Sequence, residues 1–207
     1  MITKRQLVEE INRQKILTPF IEKALKQAEV SHRGQKRDNG FSVLKNHIYP
    51  VSWNILKRFE GVKFLEDLIV LALLHDTMED DENFTLDICQ DVFNKSICKN
   101  VQKLTKDECI IRSYSGNDKI LYELLKYFCN KEYIRGVKKA SEVCKIVKLE
   151  DRINNLQSIK KIGSNVKNLR YVIEADTLFI IMAKETKSFN YIPLLKQEIQ
   201  RLCPTLP

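Results

Sequence analysis

Residues 66–84 read EDLIVLALLHDTMEDDENF: an unbroken apolar run from Leu68 to Leu74 stops at His75 and Asp76 and passes into the acidic residues Glu79, Asp80, Asp81 and Glu82. A helix that is apolar all round belongs in a core, so these residues predict a central buried helix ended by ionisable groups. If the helix continues to about residue 78, His75 and Glu79 are four apart, as are Asp76 and Asp80, and the four side chains form two neighbouring rows. Clustered carboxylates and an imidazole beside apolar surface desolvate and repel one another unless a cation sits among them. A mixed histidine and carboxylate set suits manganese, iron or zinc. The dipeptide by itself is weak evidence: with three histidines and eleven aspartates, a His-Asp pair arises by chance in about one such chain in six. Further ligands must come from elsewhere in the chain.

Outward from this stretch, apolar residues recur at helical spacing: Ile21, Leu25 and Ala28; Val51, Ile55 and Phe59; Leu121, Leu124, Leu125 and Phe128. Six glycines, five prolines and little period-two alternation argue against a sheet, so the expected fold is all-α with at most a short hairpin. Helices are expected at about residues 5–14, 18–32, 47–60, 64–78, 84–104, 117–128, 139–159, 166–186 and 191–202, with loops near 33–46, 79–83, 105–116 and 160–165. No repeat, low-complexity tract or linker interrupts the 207 residues, so one domain over 1–207 is expected. Trp53 and the aromatics at 59, 64, 84 and 93 fall at core-like spacings and are assigned to packing.

Composition narrows the class. Hydrophobic residues at 43% and charged residues at 30% describe a globular protein with no membrane-crossing run. The charged N-terminus MITKRQLVEEINRQK lacks a secretory core, so a cytoplasmic protein is expected. Cysteines 89, 98, 109, 129, 144 and 203 show no Cys-x-x-Cys pair, which leaves buried thiols as the reading. The net charge of +8 favours polyanions, although lysines spread along the chain also describe an ordinary solvated surface. No membrane and no specific nucleic-acid partner is inferred, and the oligomeric state is open.

Two further ligand positions are available. His47 lies in NHIYPV, and Asp151 lies in the amphipathic run CKIVKLEDRINNLQS, whose core stripe is Ile146, Leu149 and Ile153. With histidines this scarce, a site using two would draw on His47 and His75 and leave His32 in the basic segment SHRGQKR. Each has a bland alternative: His47 as a helix-start histidine, Asp151 as half of a surface ion pair with Arg152, His32, Lys36 and Arg37 as plain polar surface at a helix end.

Four blocks in order, AEVSHRGQKRDNG (28–40), NHIYPV (46–51), LALLHDTMEDDENFTLDICQDVF (71–93) with KLTK (103–106), and IVKLEDRINNLQS (146–158), resemble the HD hydrolases that degrade the alarmone (p)ppGpp, the hydrolase half of Rel/SpoT proteins and their stand-alone relatives. The resemblance covers roughly residues 18–200, since YIPLLKQEI suits the family's last helix. It implies that His47, His75, Asp76 and Asp151 hold one divalent ion, typically Mn2+, and that Glu79 and Asp80 activate or orient the attacking water. Lys148, Arg152, Asn155 and Ser158 would face the nucleotide, and Arg37, with His32 and Lys36, would hold phosphates or base. Thr105 and Lys106 match a block without an assigned role. The implied reaction releases pyrophosphate from the 3′ oxygen and leaves GDP or GTP.

The chain departs from the family in three places. GFSVLKNH replaces a G-x-P-Y approach to the first metal histidine, Asp38 stands where a basic residue is usual, and Glu150 replaces an alanine, adding an acid beside Asp151. No synthetase half is expected after Pro207. Because segment 38–46 is where base selection should lie, another nucleotide such as NADPH remains an alternative substrate. A non-catalytic nucleotide- or RNA-binding regulator is a third reading, though it has no need of a water-activating carboxylate.

Overall fold

The computed structural model describes residues 1–106, 111 and 114–204, which fold as helices. They are α1 (Lys4–Arg13), α2 (Pro19–Ser31), α3 (Tyr49–Arg58), α4 (Leu65–Leu74), α5 (Thr77–Asp80), α6 (Leu86–Val92), α7 (Lys95–Leu104), α8 (Lys119–Lys138), α9 (Glu142–Gln157), α10 (Val166–Glu174), α11 (Ile180–Lys184) and α12 (Ile192–Leu202). One π-helical turn, Leu44–Ile48, leads into α3, and another, Ala175–Phe179, joins α10 to α11. The expected short hairpin is reduced to a single antiparallel bridge between Lys36 and Ser42 in the loop after α2. Half of the expected loop 105–116, residues 107–110 and 112–113, lies outside the described residues, Cys109 among them.

The apolar run is the centre of the molecule. Every residue of α4 from Leu68 to Leu74 is buried, and the helix packs against α2, α3 and α9. Local chemistry sets the ends of its neighbours. Thr3 and Gln6 form a capping box at α1, Thr18 caps α2 with Pro19 in the first turn, and Ser141 caps α9.

Three expectations change. The helix expected over 64–78 stops at Leu74, where His75 Nδ1 binds the Ala72 carbonyl (2.8 Å) and the Thr77 hydroxyl donates to the Leu74 carbonyl (2.6 Å). Side chains thus take carbonyls that another helical turn would have used. The helix expected over 84–104 divides at Phe93, because Asn94 accepts from the Ile97 N–H and starts α7 afresh. The helix expected over 117–128 runs on to Lys138, and its buried residues are Ile134 and Val137; Leu121, Leu124 and Phe128, which mark the helical spacing, are exposed. Spacing identified the helix but not the face it buries.

Candidate metal centre and active-site cleft

Three parts of the chain meet at the C-terminal end of α4. The π-turn before α3 brings His47, the break between α4 and α5 brings His75 and Asp76, and the middle of α9 brings Asp151. His47 Nε2 lies 3.2 Å from His75 Nε2 and 3.3 Å from both Asp76 Oδ2 and Asp151 Oδ1; His75 Nε2 lies 3.2 Å from Asp76 Oδ2. Ligand atoms of His47, His75 and Asp151 fall within 4.8 Å of one another.

These separations suit shared coordination. Adjacent ligands at ~2.1 Å from one ion lie ~3.0 Å apart in an octahedron and ~3.4 Å apart in a tetrahedron. The outer nitrogens fix the tautomers: with His47 Nδ1–H donating to Asn154 Oδ1 (2.7 Å) and His75 Nδ1–H donating to the Ala72 carbonyl, both Nε2 atoms carry a lone pair toward the cluster. The donor set attracts a cation even when that cation is a proton. Burial disfavours charge on His47, yet hydrogen bonds that the protonated ring donates to Asp151 and Asp76 overcome it and lift the imidazole to about 9. Burial likewise opposes ionisation of Asp76 and Asp151, but the histidines, and for Asp151 the Lys148 ammonium, hold both well below the usual carboxylate range. Two imidazoles and two carboxylates therefore fit a divalent ion.

The cluster forms the inner end of a cavity of about 630 Å³. Glu79 and Asp80 lie on its wall. Glu79 Oε1 accepts the Lys106 backbone N–H (2.8 Å), and Asp80 Oδ2 accepts Gln35 Nε2 (3.0 Å). Burial raises the Glu79 carboxyl, against the opposing pull of Lys106. A half-buried carboxylate whose proton affinity is raised is suited to taking a proton from water. Lys148, buried between Asp151 Oδ2 (2.7 Å) and the Tyr133 ring, also reaches the wall.

The structure divides the expected nucleotide contacts. Arg37, Lys148, Asn155 and Ser158 line the cavity. Arg37 Nη2 donates to Asn155 Oδ1 (2.5 Å) and Asn155 Nδ2 donates to Asp151 Oδ1 (2.5 Å), so a polar chain runs from loop to metal cluster. His32, Lys36 and Arg152 are not on that wall. His32 is buried behind it, its Nδ1–H donating to Gln35 Oε1 (2.7 Å), so it supports Asp80 through Gln35. Lys36 is exposed on the loop. Arg152 turns to the other side of α9, pairs with Glu174 (2.6 Å) and packs over the Tyr171 and Phe179 rings. Glu150 adds no acid to the site, because its side chain points to Arg58 (2.7 Å).

Several lining or supporting residues were missed. Asn154 and Gln35 carried no distinguishing signal beside Asn155 and Lys36; only the side each faces separates them. Lys160, Lys161, Lys167, Asn168 and Tyr171 complete the outer wall, and the basic run KKIGSNVK (160–167) was the one available hint.

No family model matches the chain. Among solved structures, the chain superposes on a metazoan ortholog of SpoT, described as hydrolysing ppGpp and playing a role in starvation responses, with a TM-score of 0.65 and 24% identity over 89% of this chain and 96% of that one. The chain shares the all-helical fold of that ortholog. Two chloroplastic plant proteins that carry the name GTP diphosphokinase RSH1 are also similar: 29% identical over 167 residues in Oryza sativa subsp. japonica and 30% over 148 residues in Arabidopsis thaliana, covering 77% and 68% of this chain. The chain spans only 17% and 15% of their lengths. The chain brings His47, the adjacent pair His75 and Asp76, and Asp151 together from three separate parts of the sequence.

Proposed function

We propose that the cleft hydrolyses the 3′-pyrophosphate of guanosine alarmones, converting ppGpp or pppGpp to GDP or GTP and pyrophosphate. The observation that carries this reading is the juxtaposition, in one cavity, of a histidine and carboxylate cluster, a half-buried carboxylate with raised proton affinity and a wall of lysines. The likeness to a SpoT ortholog described as hydrolysing ppGpp supports it.

His47, His75, Asp76 and Asp151 would hold one divalent ion, for which we propose manganese. When bound, such an ion supplies Lewis acidity toward phosphoryl oxygens and makes water more acidic. Glu79, with Asp80 beside it, takes the proton of the attacking water. The water oxygen bonds to the phosphorus attached to the 3′ oxygen, the bond from that phosphorus to the 3′ oxygen breaks, and the oxygen leaves as a hydroxyl after protonation. Lys148 and Arg37 offset phosphoryl charge, and Asn155 and Ser158 orient the nucleotide. A nucleotide pool as substrate source corresponds to a cytoplasmic location.

A second reading, another nucleotide such as NADPH, draws on the cavity wall built by Asp38, Asn39 and Val43, residues of the segment expected to select the base. Incubating manganese-loaded protein with ppGpp, pppGpp and NADPH separately and analysing the products distinguishes the two. Pyrophosphate from the guanosine substrates is expected. Phosphate from NADPH alone would transfer the assignment, and no turnover of any of the three would remove it.

A further inference from the structure

The cavity is graded in charge. Its inner end holds four carboxylates, Asp76, Glu79, Asp80 and Asp151, against two lysines, Lys106 and Lys148, while its rim carries Arg37, Lys160, Lys161 and Lys167. Among the described lining residues one carboxylate, Asp38, lies outside the inner cluster, and it sits on a rim cation: Lys167 Nζ donates to Asp38 Oδ2 at 2.5 Å, across 129 residues of sequence. The neighbouring Arg37 is tied through Asn155 to Asp151, so the loop bearing Asp38 is held in register with the inner site. The pair thus bridges the loop after α2 and the start of α10, and the Lys167 ammonium holds the Asp38 carboxyl below its ordinary range.

We propose that Asp38 is an internal competitor for the anion-binding rim: an outer phosphoryl group of the ligand reaches Lys167 by displacing the Asp38 carboxylate. Asp38 then acts as a specificity residue. A ligand with several charges recovers the broken pair through Lys167 and its lysine neighbours, whereas one with a neutral or weakly charged outer group does not. The side chains of Asp38 and Lys167 are 83% and 40% exposed, so the pair exchanges readily and its effect is modest, in keeping with solvent-screened ion pairs. The inference rests on the proposed nucleotide site only in requiring a polyanionic ligand.

The test is a cycle of wild type, Asp38→Asn, Lys167→Gln and the double variant, titrated calorimetrically at low salt with inorganic tripolyphosphate. Divalent metal is left out, so that the acidic inner end repels the probe and the rim is read. Asp38→Asn should tighten binding about two- to five-fold, Lys167→Gln should weaken it, and Asp38→Asn in the Lys167→Gln background should change nothing. Equal tightening in both backgrounds would show Asp38 acting as bulk charge and overturn the competition; so would no tightening, or no binding to either the wild type or Asp38→Asn. The titration involves no turnover, so a chain that leaves ppGpp intact can still pass it and one that hydrolyses ppGpp can fail it.

Discussion

Asn154 shows how a residue with no chemistry of its own can govern the site. Its Oδ1 accepts the His47 Nδ1–H, and this one contact decides which imidazole nitrogen faces the cluster. Asn154→Ala should weaken divalent-metal affinity by about 10- to 100-fold without abolishing it; a manganese titration followed by a bound-metal assay checks this, and unchanged affinity would mean the tautomer is held by other contacts. Glu79 makes the complementary case, since it lies on the wall but its carboxylate is engaged by the Lys106 N–H and not by either histidine. Glu79→Gln should keep full metal content and lose most turnover. Loss of metal would recast Glu79 as a ligand. His75→Ala, by contrast, should lose both.

At the scale of elements, the break between α4 and α5 matters more than either helix. His75 and Asp76 keep helical backbone angles at this joint, and both side chains meet His47 there. Elsewhere the joint between α1 and α3 is electrostatic. Glu10 is buried and bridges Arg13 (2.7 Å) and Lys57 (2.9 Å), which hold its carboxyl at about 2 against an ordinary 4.5. Because the folded value is depressed, the stabilisation is present above about 4.5 and is lost as pH falls toward about 2. Urea midpoints measured from pH 7 downward should therefore fall more steeply through this window for the wild type than for Glu10→Gln. Parallel curves would remove Glu10 as a contributor.

In the whole molecule, α9 works from two sides. One side presents Lys148, Asp151 and Asn155 to the cavity; the other carries Arg152 into a buried network in which Glu174 accepts from Arg152 (2.6 Å), Arg170 (2.6 Å) and Asn130 (2.7 Å), with Glu123 pairing Arg170 (2.6 Å). The arrangement ties α8, α9 and α10 together behind the site. Removing one buried partner leaves guanidinium charge uncompensated, so Glu174→Ala should destabilise the fold by ~3–5 kcal/mol while the folded variant still binds one metal equivalent. Denaturation together with metal stoichiometry checks both halves; a lost metal site with intact stability would place Arg152 in the active centre after all.

What could be read from residues alone was what depends on order and period. The buried α4 and the helical class follow from an apolar run and helical spacing, local properties of a linear chain, while the candidate set His47, His75, Asp76, Glu79, Asp80 and Asp151 came from the resemblance of four blocks in a fixed order. What needed the tertiary structure was direction. Arg152 and Asp151 are adjacent in sequence, yet 100° of helical rotation per residue sends one to a buried acid and the other to the histidine and carboxylate cluster. Glu150 turns away to Arg58 for the same reason, and Leu121, Leu124 and Phe128 form a good helical stripe on the exposed side. The Asp38–Lys167 bridge joins residues far apart in sequence and belongs to no motif, because only packing decides which distant charges meet.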